Sequence, residues 1–309
     1  MTPEGELQPV VEIAADTHDL CGECPVWVQG EKALYWADIV GRRVYRLVES
    51  NAQPTILHRE LEITGLIPHI EGGFIAVNSQ GLWRWDETAH LEHLLHEVEG
   101  ALCQLNDCIA DRRGRVLSGS QFFDPYRPYP SGKLFLFDLD GLARILDEGF
   151  ALPNGMGWSP DGRHLYLTDT IARRIYVYDY NEQNGSLNNR RTLVQISTHE
   201  GMPDGLTVDA DGYIWSAQWY GGQIVRYDPS GQEERRVSLP AKQTSSLAFG
   251  GSDLTDLYVT SAGKHEDGPF PEGYESSGYL GGALYRVRTD IVGRLENPAR
   301  ISHPKTKIG

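Results

Sequence analysis

Pro203-Asp204-Gly205-Leu206-Thr207-Val208, followed at once by Asp209-Ala210-Asp211-Gly212-Tyr213-Ile214-Trp215, decides the fold. It puts a polar residue at the mouth of an apolar strand, then an Asp-Gly turn, then a second apolar strand. The pattern returns at Pro153-Asn154-Gly155-Met156-Gly157-Trp158, ahead of Ser159-Pro160-Asp161-Gly162 and Leu165-Tyr166-Leu167. With these two aligned, further copies begin at Glu23, Thr64, Asn106 and near Ser246. The spacing is roughly 40–50 residues with three or four short strands per copy, the signature of propeller blades. One small sheet cannot bury both faces, whereas a closed ring of sheets can, and it leaves only short edges. The expectation is an all-β, six-bladed β-propeller formed by residues 1–309 as one domain. Val10-Val11-Glu12-Ile13 is expected to complete the last blade and tie the ring shut.

Composition agrees. The 309 residues include 34 glycines, 15 tyrosines and 7 tryptophans, in short β-branched and aromatic runs between turn-forming clusters. No run approaches the roughly 18 apolar residues of a spanning helix, and no secretory leader is visible at the polar, acidic start. A cytoplasmic location is the expectation. With 43 acidic against 28 basic residues the formal net charge is −15. That balance argues against nucleic acid or an anionic membrane surface as partner. The four cysteines fall as Cys21/Cys24 and Cys103/Cys108. Each pair sits at the start of a separate repeat, which favours small buried thiols over a zinc site.

In a propeller the first strand of every blade is innermost, and all six enter the axis from one end. Their first positions therefore converge. Read across the copies these are Glu23, Thr64, Asn106, Asn154, Asp204 and about Ser246, all bearing oxygen. Side-chain oxygens of Glu23, Asn106, Asn154 and Asp204 around one point make a hard, anionic cage suited to Ca²⁺ or Mg²⁺, with Mn²⁺ or Zn²⁺ also admissible. Asn-Gly and Asp-Gly are also ordinary turn dipeptides, so the register of four positions carries this reading and no single one does. The loop after each second strand lies on the same face. Its two longest versions, 121–132 and 264–281, are rich in aromatics and proline, and Trp219-Tyr220 occupies the equivalent place in the fifth copy.

Glu23-Cys-Pro-Val-Trp, Asn106-Asp107, Leu152-Pro153-Asn154-Gly155 with Trp158-Ser159-Pro160-Asp161-Gly162, and Pro203-Asp204-Gly205 together resemble the SMP-30/gluconolactonase (regucalcin-like) family from about Ala14 to Arg288. Bacterial aldonolactonases belong to that family, and a phosphotriesterase of the diisopropyl fluorophosphatase type is a more distant relative. The resemblance implies one catalytic divalent metal ion at the top of the axis, Ca²⁺ first, with Zn²⁺, Mg²⁺, Mn²⁺ or Fe²⁺ as alternatives. It implies Glu23, Asn154 and Asp204 as ligands and Asp204 also as general base. Asn106 would be a fourth ligand or a substrate contact. Gln104 stands where gluconolactonase-like members carry an arginine that contacts the sugar, and the acidic substrate contact falls near Asp124.

The expected activity is opening of a five- or six-membered sugar lactone to the aldonic acid, with Asn106 and Gln104 orienting ring hydroxyls. The competitors are a phosphotriesterase-like hydrolase on the same metal and a non-catalytic, calcium-binding propeller. No G-x-S-x-G, Walker A, dinucleotide or H-E-x-x-H motif is present. His90, His93 and His96 read as solvated, His199 as a possible pocket residue, and Asp169 as either a site neighbour or a turn holder.

Overall fold

A computed structural model describes residues 9–86, 90–120, 132–264 and 268–301. Six four-stranded antiparallel sheets follow one another along the chain, each ordered from its first strand outward. The first strands are Gly22–Val28, Gly65–Pro68, Leu105–Ala110, Pro153–Trp158, Met202–Val208 and Thr244–Gly250. They form the inner ring, each touching the next. The six-bladed propeller read from the repeat is what forms. Blade six is completed by Val10–Ala15 from the N-terminus, which pairs with Leu284–Arg288 and closes the ring.

The core lies between the blades. Six clusters of buried side chains each join neighbouring blades, for example Tyr166, Ile175 and Val177 of blade four against Leu206, Val208 and Ile214 of blade five. Another joins Trp27 and Trp36 of blade one to Tyr258 and Leu284 of blade six. Strands such as Ala33–Asp38, apolar from Ala33 to Ala37, are buried on both faces, which is why they read as runs rather than alternations. Among the described residues no helix is long and apolar enough to cross a membrane.

The Asp-Gly turns at the far end from the site have their own chemistry. Asp209 accepts from the amides of Asp211 (3.1 Å) and Tyr213 (2.9 Å), and from Trp215 Nε1 (3.0 Å) and Arg226 Nε (2.9 Å). A buried carboxylate is tolerated there because every lone pair has a donor.

Across that far end runs a segment the repeat did not announce. Residues 289–301 bind Ala210 of blade five through Val292, Trp158 of blade four through Arg294, Ala110 and Gly114 of blade three through Asn297 and Arg300, and Pro68 of blade two through Ala299. Ala299 and Ile301 are buried in the core between blades two and three.

Candidate active site at the axial ends of the inner strands

Five of the six inner strands carry a β-bulge at the position that the repeat marks. Three residue steps on the inner strand face two on its partner between Glu23 and Val26, Leu105 and Cys108, Pro153 and Met156, Pro203 and Leu206, and Thr244 and Leu247. A bulge frees the extra residue from the ladder and turns its side chain off the sheet. The freed residues are thereby Asn106, Asn154 and Asp204 in blades three, four and five. Blade six matches them with Ser245, one residue before the Ser246 read from the sequence, and blade one reaches in with the longer Glu23. Glycine follows Asn154 and Asp204 because neighbouring inner strands nearly touch. A Cβ on Gly205 would lie 2.6 Å from Ser246 Cα, and one on Gly155 would lie 2.6 Å from the Asp204 carbonyl oxygen.

Asn154 and Asp204 are brought into direct contact, the Asn154 amide donating to the Asp204 carboxylate and also to Thr170 Oγ1 at 3.2 Å. Both are buried, at 9% and 5% exposure. Glu23 accepts from the Cys24 amide at 3.1 Å. Burial holds the Glu23 carboxyl well above the usual range, with Asp204 and then Asp107 adding repulsion. Burial does the same to Asp204, again reinforced by Asp107 and opposed by Lys264. Asn106 is half-buried and donates to the Pro153 carbonyl at 3.3 Å, which ties blade three to the loop before Asn154.

Thr64 is not part of this convergence. Its hydroxyl lies 3.0 Å from the Val77 and Leu105 carbonyls and 2.9 Å from that of Asn106. Gln104 is exposed at the mouth of blade three. Asp124 lies outside the described residues, as does most of the 121–132 loop. His199 is on the rim, two-thirds exposed and 3.5 Å from Glu272, rather than in the pocket. His93 is on the outer edge of blade two, 2.9 Å from the Gln80 carbonyl. Asp169 holds a turn. It accepts from the Ala151 and Leu152 amides at 3.0 and 2.9 Å and so props the approach to Asn154.

Two acidic residues escaped the sequence reading. Asp107 follows Asn106 in the bulge and points the other way, into an axial cavity of about 40 Å³ shared with Cys24, Cys108, Met156 and Glu296. Burial lifts its carboxyl to about 6. Glu296, from the segment across the far end, reaches about 7 for the same reason. The signal for Asp107 was its place beside Asn106 on a bulged strand. Glu296 had none, since nothing in its segment repeats. The four thiols are unpaired, and burial pushes that of Cys103 to about 12 and the other three upward as well.

A cation fits this donor set. Glu23 and Asp204 are acceptors that repel each other, and the asparagines add neutral oxygens, as hard-ion sites do. Among the described residues no three His, Cys, Asp or Glu side chains gather as a metal site of those ligands alone would need. The candidate set draws half its members from asparagine.

The comparisons agree with this architecture. The family model described as SMP-30/Gluconolactonase/LRE-like region matches residues 21–263. A pentonolactonase (XacC) of Haloferax volcanii is 38% identical over 283 residues, covering 91% of this chain and 95% of that protein. A 6-deoxy-6-sulfogluconolactonase of Pseudomonas putida is 32% identical over 278 residues, covering 89% and 93%. The crystal structure of regucalcin from Agrobacterium tumefaciens, titled a calcium-binding protein, superposes with a TM-score of 0.83 at 25% identity, over 95% of this chain and 98% of that one. The chain belongs to the SMP-30/gluconolactonase/LRE-like family.

Proposed function

We propose that this protein is a metal-dependent sugar lactonase, opening an aldonolactone to the aldonic acid. The observation that supports the reading is the contact between Asn154 and Asp204 where bulged inner strands converge, with the Glu23 carboxyl close enough to feel the charge of Asp204 and with Asn106 tied to the loop before Asn154. The names of the pentonolactonase and sulfogluconolactonase relatives support the substrate class. Glu23, Asn154 and Asp204 would hold one divalent cation, with Asn106 as a fourth ligand or a contact to the ring. Ca²⁺ leads, because oxygen donors of mixed charge suit it. A cation bound there supplies positive charge for the oxygen that gains electron density as the ring carbonyl is attacked, and makes nearby water more acidic.

The chain's own groups do the rest. Asp204 takes the proton from the attacking water. Burial of Asn154 and Asp204 keeps bulk water from screening these charges. Asn106, its amide nitrogen anchored on the Pro153 carbonyl, would offer its amide oxygen at the pocket end of blade three. Gln104 and Asp124 are the remaining proposed contacts to ring hydroxyls.

The test is a pH-indicator hydrolysis assay on pentono- and hexonolactones. It uses EDTA-stripped protein with Ca²⁺, Mg²⁺, Mn²⁺, Zn²⁺ and Fe²⁺ returned singly. Turnover restored by metal, with a preference among the sugars, is the expected result. Tight metal binding with no turnover on any lactone would leave the calcium-binding, non-catalytic propeller in its place.

A further inference from the structure

The rim of the site is lopsided. Ile39 of blade one, Ile171 of blade four, Trp219 and Tyr220 of blade five and Tyr274 of blade six belong to one apolar cluster on the site face. Phe270 extends it, stacked on Tyr274 at 5.2 Å between ring centres, with Tyr220 at 5.3 and 5.0 Å from the two. Blades five and six thus raise an aromatic wall on the site face, flanked by Ile171 of blade four and Ile39 of blade one.

Two lysines stand in that wall. Lys242 lies 4.5 Å from the centre of the Tyr274 ring and donates to the Glu275 carbonyl, so its charge is engaged on the outer rim. Lys264 is pinned by its backbone: its amide donates to Leu20 at 2.9 Å, and its carbonyl accepts from the buried Gln243 side chain at 2.8 Å. Its ammonium sits 5.1 Å from the centre of the Trp219 ring. Trp219 pairs across blade five with Met202, two residues before Asp204, so this placement puts the ammonium at the site end of that blade.

Donors are few where the inner strands converge. Glu23 and Asp204 are acceptors when ionised, the Asn154 amide nitrogen is occupied by Asp204 and Thr170, and that of Asn106 is on Pro153, which leaves Gln104 at the mouth of blade three. A polyhydroxylated ring needs donors as well as acceptors, and an ammonium brings three. Holding it against an aromatic face limits the rotamer freedom lost on binding.

We propose that Lys264 is a substrate-binding residue: its ammonium donates to a hydroxyl oxygen of the lactone, while the Tyr220–Phe270–Tyr274 wall takes the carbon–hydrogen face of the ring. The site therefore selects hydroxylated over unsubstituted lactones. This rests on the lactonase reading above.

The experiment compares wild type, Lys264→Met and Lys264→Arg, each saturated with the restoring metal, on a pentono-1,4-lactone and on γ-butyrolactone. Metal affinity is followed in parallel by calorimetry. Lys264→Met should raise KM for the pentonolactone about tenfold or more, with a smaller change in kcat. The preference for the hydroxylated ring should drop by a similar factor, and Lys264→Arg should recover part of it. Metal affinity should stay within about threefold. Equal losses on both lactones, no change on either, or a fall in metal affinity that tracks the lost activity would each overturn the proposal. A wild type that opens neither lactone would overturn the lactonase reading itself, and the role of Lys264 with it.

Discussion

Blades two and five are copies of one repeat, and they end differently at the axis. Blade five enters through Pro203-Asp204-Gly205-Leu206, with a bulge that frees Asp204 from the ladder. Blade two enters through Thr64-Gly65-Leu66, paired without interruption from Gly65 to Pro68. Thr64 keeps its amide on the Val77 carbonyl and its hydroxyl among three backbone oxygens. One extra residue separates a strand that frees a carboxylate at the axis from one that seals the ring. The sequence repeat marks where a site can form, and in blades three, four and five the bulge frees the polar residue at that place.

The sharpest way to break the comparison is at Asp204. Asp204→Asn keeps shape and volume but removes the proposed base, and kcat should fall about 10²–10⁴-fold with the fold retained by circular dichroism. Activity within about threefold of wild type would mean that the proton goes elsewhere.

Thr64→Val tests the other blade. It keeps the volume and deletes the hydroxyl that reaches Leu105 and Asn106. The expected cost is about 1–3 kcal/mol in denaturant unfolding, with metal stoichiometry intact. A loss of metal binding without a loss of stability would place Thr64 in the site after all.

Asp169→Ala sharpens the account of how Asn154 is held. The Ala151 and Leu152 amides lose their acceptor, and the approach to the inner strand of blade four loosens. About 1–2 kcal/mol of stability should go, by analogy with other side-chain caps, together with a several-fold drop in metal affinity. Unchanged affinity would show that the bulge alone fixes Asn154.

The smallest effect expected is a pH dependence. Glu296 and Asp19 are raised to about 7 and about 6, mainly by burial. The folded chain therefore binds protons more readily than the unfolded one. The stability these groups contribute is fully present below their ordinary values near 4, and it is lost as pH rises through 6 to 7. The melting temperature of metal-stripped protein should fall between pH 5 and 8, and Glu296→Gln should flatten part of that slope. A wild-type midpoint that rises over that window would contradict the placement of Glu296 against the axial cavity.

Much of this was legible in the residues. Apolar strands with Asp-Gly turns at near-constant spacing dictate sheets of similar size, and closure follows because no blade can bury itself. The N-terminal closing strand was readable because Val10-Val11-Glu12-Ile13 stood outside every copy. The bulges were not, because an extra residue leaves the apolar pattern intact and shows only as a change of partner. That is why the match to Asp204 in blade six falls on Ser245. Nor was the segment 289–301 readable, since its contacts are single hydrogen bonds to the ends of several blades rather than a strand pattern. Asp107 and Lys264 were each in view, one inside a quoted motif and one in a long loop. What gives them meaning is the cavity and the aromatic wall, which belong to the assembled ring.

The most direct test of the central claim is calorimetric titration of EDTA-stripped protein with Ca²⁺, run on wild type, Asp204→Asn and Thr64→Val. One ion per chain is predicted for wild type and for Thr64→Val, with binding weakened about tenfold or more in Asp204→Asn. Equal affinity in wild type and Asp204→Asn, or an ion lost only in Thr64→Val, would contradict a metal centre built on the bulged strands.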